Sequence, residues 1–494
     1  MGLIRHFPVF IIITPLVTAA VLPALAHWRK SLAQPLAALA ITASLVLCLA
    51  LIFPLSESGP ISYYLSSWEP PFGIEIRIDF LGLFMMLIVT SVGLAAVIYS
   101  GKYIGHEIDG EKVPTYYSLS LLLTGSMLGF SATGDIFNMF VFIEIMSITS
   151  YALVAINGSA SSIRAAFKYL WMGAPSSILV LLAISFLYTV TGTLNMGDLT
   201  AKIATSSYSQ VIVISFGIFV TGFAAKAALF PLHLWLPDAH SIAPSPVSAL
   251  LSGLVVKMGI FGIIRLIYSV YTLRFSPDVR EIVSLICFIG AAAVIYGSVM
   301  ALKQRDFKRM IAFSTVAHVG YILAGIGLMN RLGMTGGIFH ILDHALVKTC
   351  FFFVAGSIIY KTGYRNIEEL KGAARRMPLS CACFALASAS AIGIPPSAGF
   401  ISKWYLVSGS LAAGEWVVAV MILLGSALAA AYCLRIVYYM FFLPPEAGHW
   451  EEVTTDVPLT MLVPSGLFSL ASLLFGIFAF LVLPSLEKAI EILL

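Results

Sequence analysis

Charge is the scarcest property of this 494-residue chain. Only 11% of its residues are Asp, Glu, Lys or Arg, while 60% are apolar. Soluble domains carry about 25% charged residues, and a soluble chain of this length needs that cover for two or three domains. The shortage excludes a soluble enzyme, a nucleic-acid binder and a disordered scaffold. A net charge of +4 is also too small to draw a polyanionic partner. Cysteine is sparse as well: Cys48, Cys287, Cys350, Cys381, Cys383 and Cys433 lie in or beside apolar segments, and none forms a C-x-x-C pair. They read as small apolar side chains, and no iron–sulfur or c-type haem site can be built from them. No resident cofactor is expected. Whether the chain serves an enzyme complex stays open, because it carries no redox or hydrolytic motif of its own.

What the chain has in abundance is long apolar runs, with a mean hydropathy of +0.97. About fourteen runs reach the roughly 20 residues that cross a bilayer as a helix. They fall near 4–26, 32–54, 79–100, 115–132, 135–156, 164–190, 209–230, 244–271, 278–300, 306–329, 334–360, 379–412, 414–442 and 457–484. The first resembles a signal peptide at Ala24-Leu25-Ala26 but is read as a retained span. The fold class is therefore an all-α polytopic membrane protein, organised as one membrane domain over 1–494. Residues 1–114 hold three spans and an outer β-hairpin near 61–79, where short alternating segments flank Glu69-Pro70-Pro71-Phe72. Residues 457–494 hold the last span and a short tail.

Lys and Arg set the orientation. Loops after odd-numbered spans hold most of the loop cations, among them Arg29, Lys30, Lys102, Lys112, Lys303, Lys308, Arg375 and Arg376. The opposite loops hold only Arg5, Arg77, Lys202, Arg274, Arg280, Arg331 and Lys488. The positive-inside rule then places both termini outside.

Six cations remain within or near the ends of spans: Lys226, Lys257, Arg265, Lys348, Lys403 and Arg435. An ionisable side chain at mid-bilayer costs about 2.5–3.5 kcal/mol or more, so each needs a reason. Arg265 and Arg435 sit near span ends and are expected to snorkel. The four lysines have no such outlet. Glu144 is isolated within Phe-Asn-Met-Phe-Val-Phe-Ile-Glu-Ile-Met-Ser. Burial disfavours an ammonium and an approaching carboxylate restores it, so a buried Lys with a movable Glu partner makes a switchable proton site. The competing reading is a static ion pair that fixes packing. His340, His344 and Lys348 recur at i, i+4 and i+8, one polar stripe on a helix with Asp343 beside it. A proton wire fits that stripe. Zinc is the competitor at His i, i+4, but no third ligand is apparent and no metal is expected. His318 is a lone case, and His233 and His240 flank Pro237 as caps or as the lining of an inlet.

Prolines break two spans, Pro231 in the seventh and Pro395-Pro396 in the twelfth, each with a lysine close by (Lys226, Lys403). The carbonyls they free must be re-satisfied by protein or water, and paired interruptions point to a translocation site. The breaks lie five spans apart, as expected if 115–271 and 278–442 are inverted five-helix repeats (helices 4–8 and 9–13).

On these residues the chain resembles the antiporter-like subunit family shared by Mrp cation/proton antiporters, membrane-bound hydrogenases and complex I. The stretches that carry the resemblance are Gly134–Glu144, Lys226–His240, Ala243–Lys257, Phe307–Tyr321 and His340–Lys348. The resemblance implies fourteen helices, two inverted repeats and a polar axis across mid-membrane. It matches Glu144 to a helix-5 glutamate paired with the helix-7 lysine Lys226. It further matches Lys257 to the helix-8 relay, His340, His344 and Lys348 to the helix-11 stripe, and Lys403 to the helix-12 terminal group. Asp343 has no counterpart in the motif and is left as a local partner of the histidines. Lys403 at helix 12 points to the D-type member of the Mrp antiporters. The implied role is proton, or cation/proton, translocation within a multisubunit antiporter or a redox-driven pump of a prokaryotic cell membrane, beside other membrane subunits. A self-sufficient solute transporter is the alternative.

Overall fold

The computed structural model describes residues 4–272, 276–446 and 448–493. Arg274, one of the outer loop cations, and the terminal residues 1–3 and 494 lie outside that description. Helices α1 (Phe7–Trp28), α2 (Ala33–Ala50) and α3 (Ile52–Ser58) come first. The expected hairpin follows in shortened form: β1 (Ile61–Tyr64) pairs antiparallel with β2 (Glu75–Ile78), Ile61 opposite Ile78. Then come α4 (Phe80–Glu107), α5 (Val113–Ala132), α6 (Ile136–Ala155), α7 (Ala160–Thr191), α8 (Met196–Thr205) and α9 (Ser209–Lys226). After a non-helical stretch over 227–235, α10 (Leu236–Ile242) leads into α11 (Ser245–Leu250) and α12 (Val256–Arg265). π-helical turns at Leu251–Val255 and Leu266–Val270 extend these last two into one span, Ser245–Val270. The second half holds α13 (Pro277–Lys303), α14 (Phe307–Gly327), α15 (Arg331–Thr362), α16 (Pro378–Ile392), α17 (Ala398–Ala412) and α18 (Trp416–Phe441). Helices α19 (Leu459–Ile477) and α20 (Ala479–Leu493) close the described chain, and α20 turns the short tail into a helix tied to α15 by Arg331–Glu487 at 3.0 Å.

Among the described residues, twelve helices are long and apolar enough to cross a membrane. Helix starts follow sequence signals that matter more in lipid, where first-turn N–H groups have no water to turn to. Asp79 caps α4 through Gly82 N at 2.8 Å, Asp135 caps α6 through Asn138 N at 2.7 Å, and Asp306 caps α14 through Arg309 N at 2.7 Å. The two longest helices, α7 and α15, both end on a left-handed glycine, Gly192 and Gly363. In the spans Ser245–Val270, Phe307–Gly327 and Arg331–Thr362 the apolar window is wholly enclosed by protein. The polar groups within those windows therefore face neighbouring helices and not lipid.

Two cations behave differently from expectation. Arg265 does not snorkel: it is buried and grips Asp79 through two bonds of 2.5 and 2.6 Å. The cation at the end of the span found a carboxylate on α4's cap nearer than the water. Arg435 donates instead to the Leu302 and Gln304 carbonyls at 2.8 and 3.0 Å, satisfying the C-terminal end of α13. Lys308, read from the sequence as a loop residue, is buried and donates to the Ala243 carbonyl.

Candidate functional site

The site is a row of buried ionisable groups joined by serine and threonine hydroxyls. It begins where α9 ends. Lys226 occupies the last helical position of α9, where the freed carbonyl end of a helix favours a cation, and its Nζ lies 3.6 Å from Glu144 Oε1 on α6. Two serines shape the pair: Lys226 Nζ donates to Ser147 Oγ at 2.6 Å, and Ser177 on α7 donates to the Glu144 carboxylate. Lys226 is 4% exposed, whereas the Glu144 side chain is 32% exposed, at the outer wall of the chain.

Lys257 lies in the enclosed span, just after its first π-helical turn. Its Nζ donates to the Ser252 carbonyl at 2.7 Å, and Ser252 Oγ bonds Thr315 Oγ1 on α14 at 2.8 Å. π-Turns widen the backbone ladder and recur at functional sites; here the turn offers a carbonyl to an ammonium that has no other hydrogen-bond partner among the described residues. No hydrogen bond joins Lys226 to Lys257 among the described residues.

From there the row runs along α15. Lys348 Nζ donates to Ser314 Oγ on α14 at 2.5 Å. His344, fully buried, has no hydrogen-bond partner on either ring nitrogen. His318 on α14 stacks between His340 and His344, each ring centre 5.1 Å away and nearly parallel. His318 Nδ1 is 3.0 Å from His340 Nε2, and His340 Nδ1 is 2.8 Å from Ser402 Oγ on α17. Ser402 Oγ donates to the Gly399 carbonyl, so it accepts from His340 Nδ1; a neutral His340 then accepts from His318 through Nε2. Ser402 is the neighbour of Lys403, whose Nζ donates to the carbonyls of Ala391 and Ile392 at 2.8 and 3.0 Å. These carbonyls are freed at the end of α16, where the chain from Gly393 through Pro395 and Pro396 is not helical. Pro231 sits likewise within the non-helical stretch after Lys226.

The fold thus brings Glu144 to Lys226, and His318, His340 and His344 into one ladder that ends beside Lys403. His233 and His240 cap no helix. Both are buried with unpartnered nitrogens, His233 against Tyr296 and His240 against Phe352. Sequence reasoning missed the hydroxyls of Ser147, Ser177, Ser314 and Ser402, because serine is common in these spans and only the fold selects which ones meet an ionisable group. It also undervalued His318, which carries no partner at helical spacing on its own helix. The His340/His344 pair weighed for zinc gains no third ligand among the described residues; a carboxylate oxygen of Asp343 and nitrogens of His318 and His340 lie within 4.8 Å of one another, a set without His344. His318 Nδ1, His340 Nε2 and His340 Nδ1 are engaged with one another or with Ser402.

Known proteins resemble this chain in sequence and in fold. Residues 133–429 match the family described as NADH:quinone oxidoreductase/Mrp antiporter, TM, and residues 67–112 match NADH-ubiquinone oxidoreductase (complex I), chain 5 N-terminus. The N-type subunit of the NADH-quinone oxidoreductase of Desulforudis audaxviator is 38% identical over 96% of each chain. The D-type subunit of the Na(+)/H(+) antiporter of Bacillus subtilis is 32% identical over 87% of this chain and 85% of its own. Among solved structures, a chain of the Mrp complex from Dietzia sp. DQ12-45-1b superposes with a TM-score of 0.90 at 26% identity, covering 100% of this chain and 98% of that one. A chain of the membrane-bound sulfane sulfur reductase, an archaeal respiratory membrane complex, gives 0.92 at 28%, covering 98% and 97%. The likeness to the D type is thus present, beside a higher identity to an N-type relative.

Proposed function

The chain belongs to the NADH:quinone oxidoreductase/Mrp antiporter membrane family, and from that premise we propose that it is the proton-translocating subunit of a multisubunit membrane complex, moving protons along its mid-membrane row of Glu, Lys and His. The observation that carries this reading is the polarity of the ladder. His318 Nε2 is buried and unpartnered beside His344, while His318 Nδ1, His340 and Ser402 are already hydrogen-bonded in series towards Lys403. A proton taken up at His318 Nε2 releases one from Nδ1 to His340 Nε2, and His340 Nδ1 passes one to Ser402. Protons reach the ladder through Glu144, Lys226, Lys257 and Lys348 and leave by Lys403. The Glu144–Lys226 pair acts as the switch: closed, it holds the ammonium; opened, it lets the proton go on.

The work must come from outside the chain, from opposing cation flow or from redox chemistry in another subunit. One charge moved across 100 mV corresponds to about 2.3 kcal/mol, and a change of about two units in proton affinity matches that scale. The exposed flank of Glu144 supports a neighbouring subunit at α6, since a carboxylate left facing lipid is costly. The N-type and D-type relatives, and the complexes of the solved structures, are in keeping with such partners.

The two inverted halves and the outward termini belong to the same proposal. In the first half, Asp135 caps α6 and bridges Asn195, which caps α8; in the second, Asp306 caps α14 and bridges Asn366, which caps the short turn Ile367–Leu370. Both asparagines follow the left-handed glycine that ends a 32-residue helix by three residues. Such recurrence supports units at 115–271 and 278–442.

The test is proton transport by membrane vesicles that contain the assembled complex. Glu144→Ala or Lys226→Ala is expected to abolish coupled transport while the complex still assembles. Full coupled transport in either variant overturns the reading.

A further inference from the structure

Two opposite charges face the break between α16 and α17 without meeting. Asp343 on α15 is fully buried. Its Oδ1 accepts from Ser390 Oγ at 2.5 Å, whereas Oδ2 has no hydrogen-bond partner. The basic group nearest to Oδ2 is His340 Nδ1 at 3.9 Å, a nitrogen already bonded to Ser402. Across the break, Lys403 is also buried. Its ammonium rests on the Ala391 and Ile392 carbonyls, 4.8 Å from the centre of the Tyr321 ring, and no carboxylate lies within ion-pair distance among the described residues. Yet each is the other's strongest charged neighbour, ahead of Lys348 and Lys257 for the aspartate. Two desolvated opposite charges held apart, each short of a partner, form an arrangement that costs more than the same pair in contact.

Ser390 joins both sides. Its hydroxyl donates to Asp343 and accepts from Gly399 N at 3.0 Å, in the first turn of the helix that carries Lys403. A shift of α17 therefore changes the Asp343 contact and the Lys403 position together. The carbonyls under Lys403 are free because the helix is broken there, and water in the break can replace the ammonium on them.

We infer that Asp343 is the counter-charge of Lys403: in a second setting of the break the ammonium leaves the Ala391 and Ile392 carbonyls and pairs with Asp343 Oδ2. The change of partner moves no proton by itself: paired with Asp343, Nζ holds its proton, and with the pair open it can give that proton on. The second half then has its own carboxylate–lysine switch at its broken helix, as Glu144 and Lys226 form one at the first. The two switches stand in opposite settings here, the first within ion-pair distance at 3.6 Å and the second open. The carboxylate comes from α15, whereas the first half takes its own from α6, so the second switch is not a copy of the first by position.

This inference rests on the relay reading above, and its test separates the two. Proton transport is measured in vesicles carrying the assembled complex, with Glu144→Ala and Lys226→Ala alongside. Asp343→Asn keeps the shape and the Ser390 bond but removes the charge, and is expected to lower transport about tenfold or more. Asp343→Glu is expected to stay within about threefold of the parent. Lys403→Gln should be as impaired as Asp343→Asn, and the double variant no worse than either alone, because two groups acting as one unit are not additive. Full transport in Asp343→Asn, or losses that multiply in the double variant, overturns the inference. Transport that survives Glu144→Ala and Lys226→Ala instead overturns the relay itself. Should Asp343→Asn fail to assemble, Ser390→Ala keeps both charges and removes only the hydroxyl that ties Asp343 to the first turn of α17. Slowed transport in that variant upholds the switch, and unchanged transport makes Asp343 a packing residue.

Discussion

Serine hydroxyls meet Lys226, Lys348 and His340 in the row, and the one at position 402 is the last link before Lys403. Ser402→Ala leaves His340 Nδ1 without its acceptor. Losing one such hydrogen bond costs about 1–1.5 kcal/mol, which corresponds to about a tenfold fall in transport rate. Ser402→Thr keeps a hydroxyl and is expected to restore most of the rate in the same vesicle assay. Asp79 is a residue with a stability role. Burial works against its carboxylate, but Arg265, through charge and hydrogen bonds, the Gly82 N–H and Arg77 outweigh it and hold the group below its ordinary value of 3.8. A carboxyl whose value is depressed on folding contributes stability above the unfolded value and loses it as pH falls through the folded one. Asp79→Asn is therefore expected to destabilise the detergent-purified chain by about 3 kcal/mol at pH 6, since it strands a buried arginine. The difference from the parent should shrink as the pH falls below about 4. Thermal unfolding at several pH values measures it, and an equal difference at every pH contradicts the assignment.

Broken helices position the lysines, and the first break is closely packed on one side. A Cβ on Gly259 would stand 2.5 Å from Ala227 N, the residue after Lys226, so the span that carries Lys257 presses directly on the end of α9. Gly259→Ala is expected to cost about 1–3 kcal/mol of stability through overpacking. It should also slow proton transport by moving Lys226 and Lys257 apart, measured together by thermal unfolding and vesicle assay. Both breaks were legible from Pro231, Pro395 and Pro396, because proline removes a backbone donor and crowds the carbonyl one turn earlier; a proline alone does not always stop a helix, since Pro175 lies inside α7. The spans were legible from hydropathy, and Lys226, Lys257, Lys348 and Lys403 from the rarity of charge at membrane depth. The sequence does not reveal which helix lies across from which. That is why Arg265 reads as a snorkelling cation when Asp79 waits for it on α4, why Lys308 reads as a loop residue, and why His318 looks solitary when two histidines on α15 stack on it. Periodicity describes one helix at a time, whereas these contacts arise between helices far apart in the chain.

At the scale of the whole molecule, the proposed halves make a prediction about sidedness that no single helix makes. Asn195 and Asn366 hold matching places, each capping a turn after a long helix and bridging to the aspartate that opens another. If the halves are inverted, these two matching loops lie on opposite faces of the membrane; if they are parallel repeats, both lie on one face. The distribution of Lys and Arg places the loop after α15, with Arg365, Arg375 and Arg376, inside, and the loop that carries Lys202 outside. Single cysteines can report this directly, because all six native cysteines are buried and out of reach of a membrane-impermeant maleimide. Ala201 and Glu368 are exposed on the two loops. Ala201→Cys is expected to react in right-side-out vesicles and Glu368→Cys only in inverted ones. Reaction of both from one side removes the inversion, and a reversed pattern removes the outward termini while keeping it. If the halves are inverted, the two proposed switches open towards opposite faces of the membrane. A proton that leaves one pair towards the ladder then meets the other pair from the far side of the membrane.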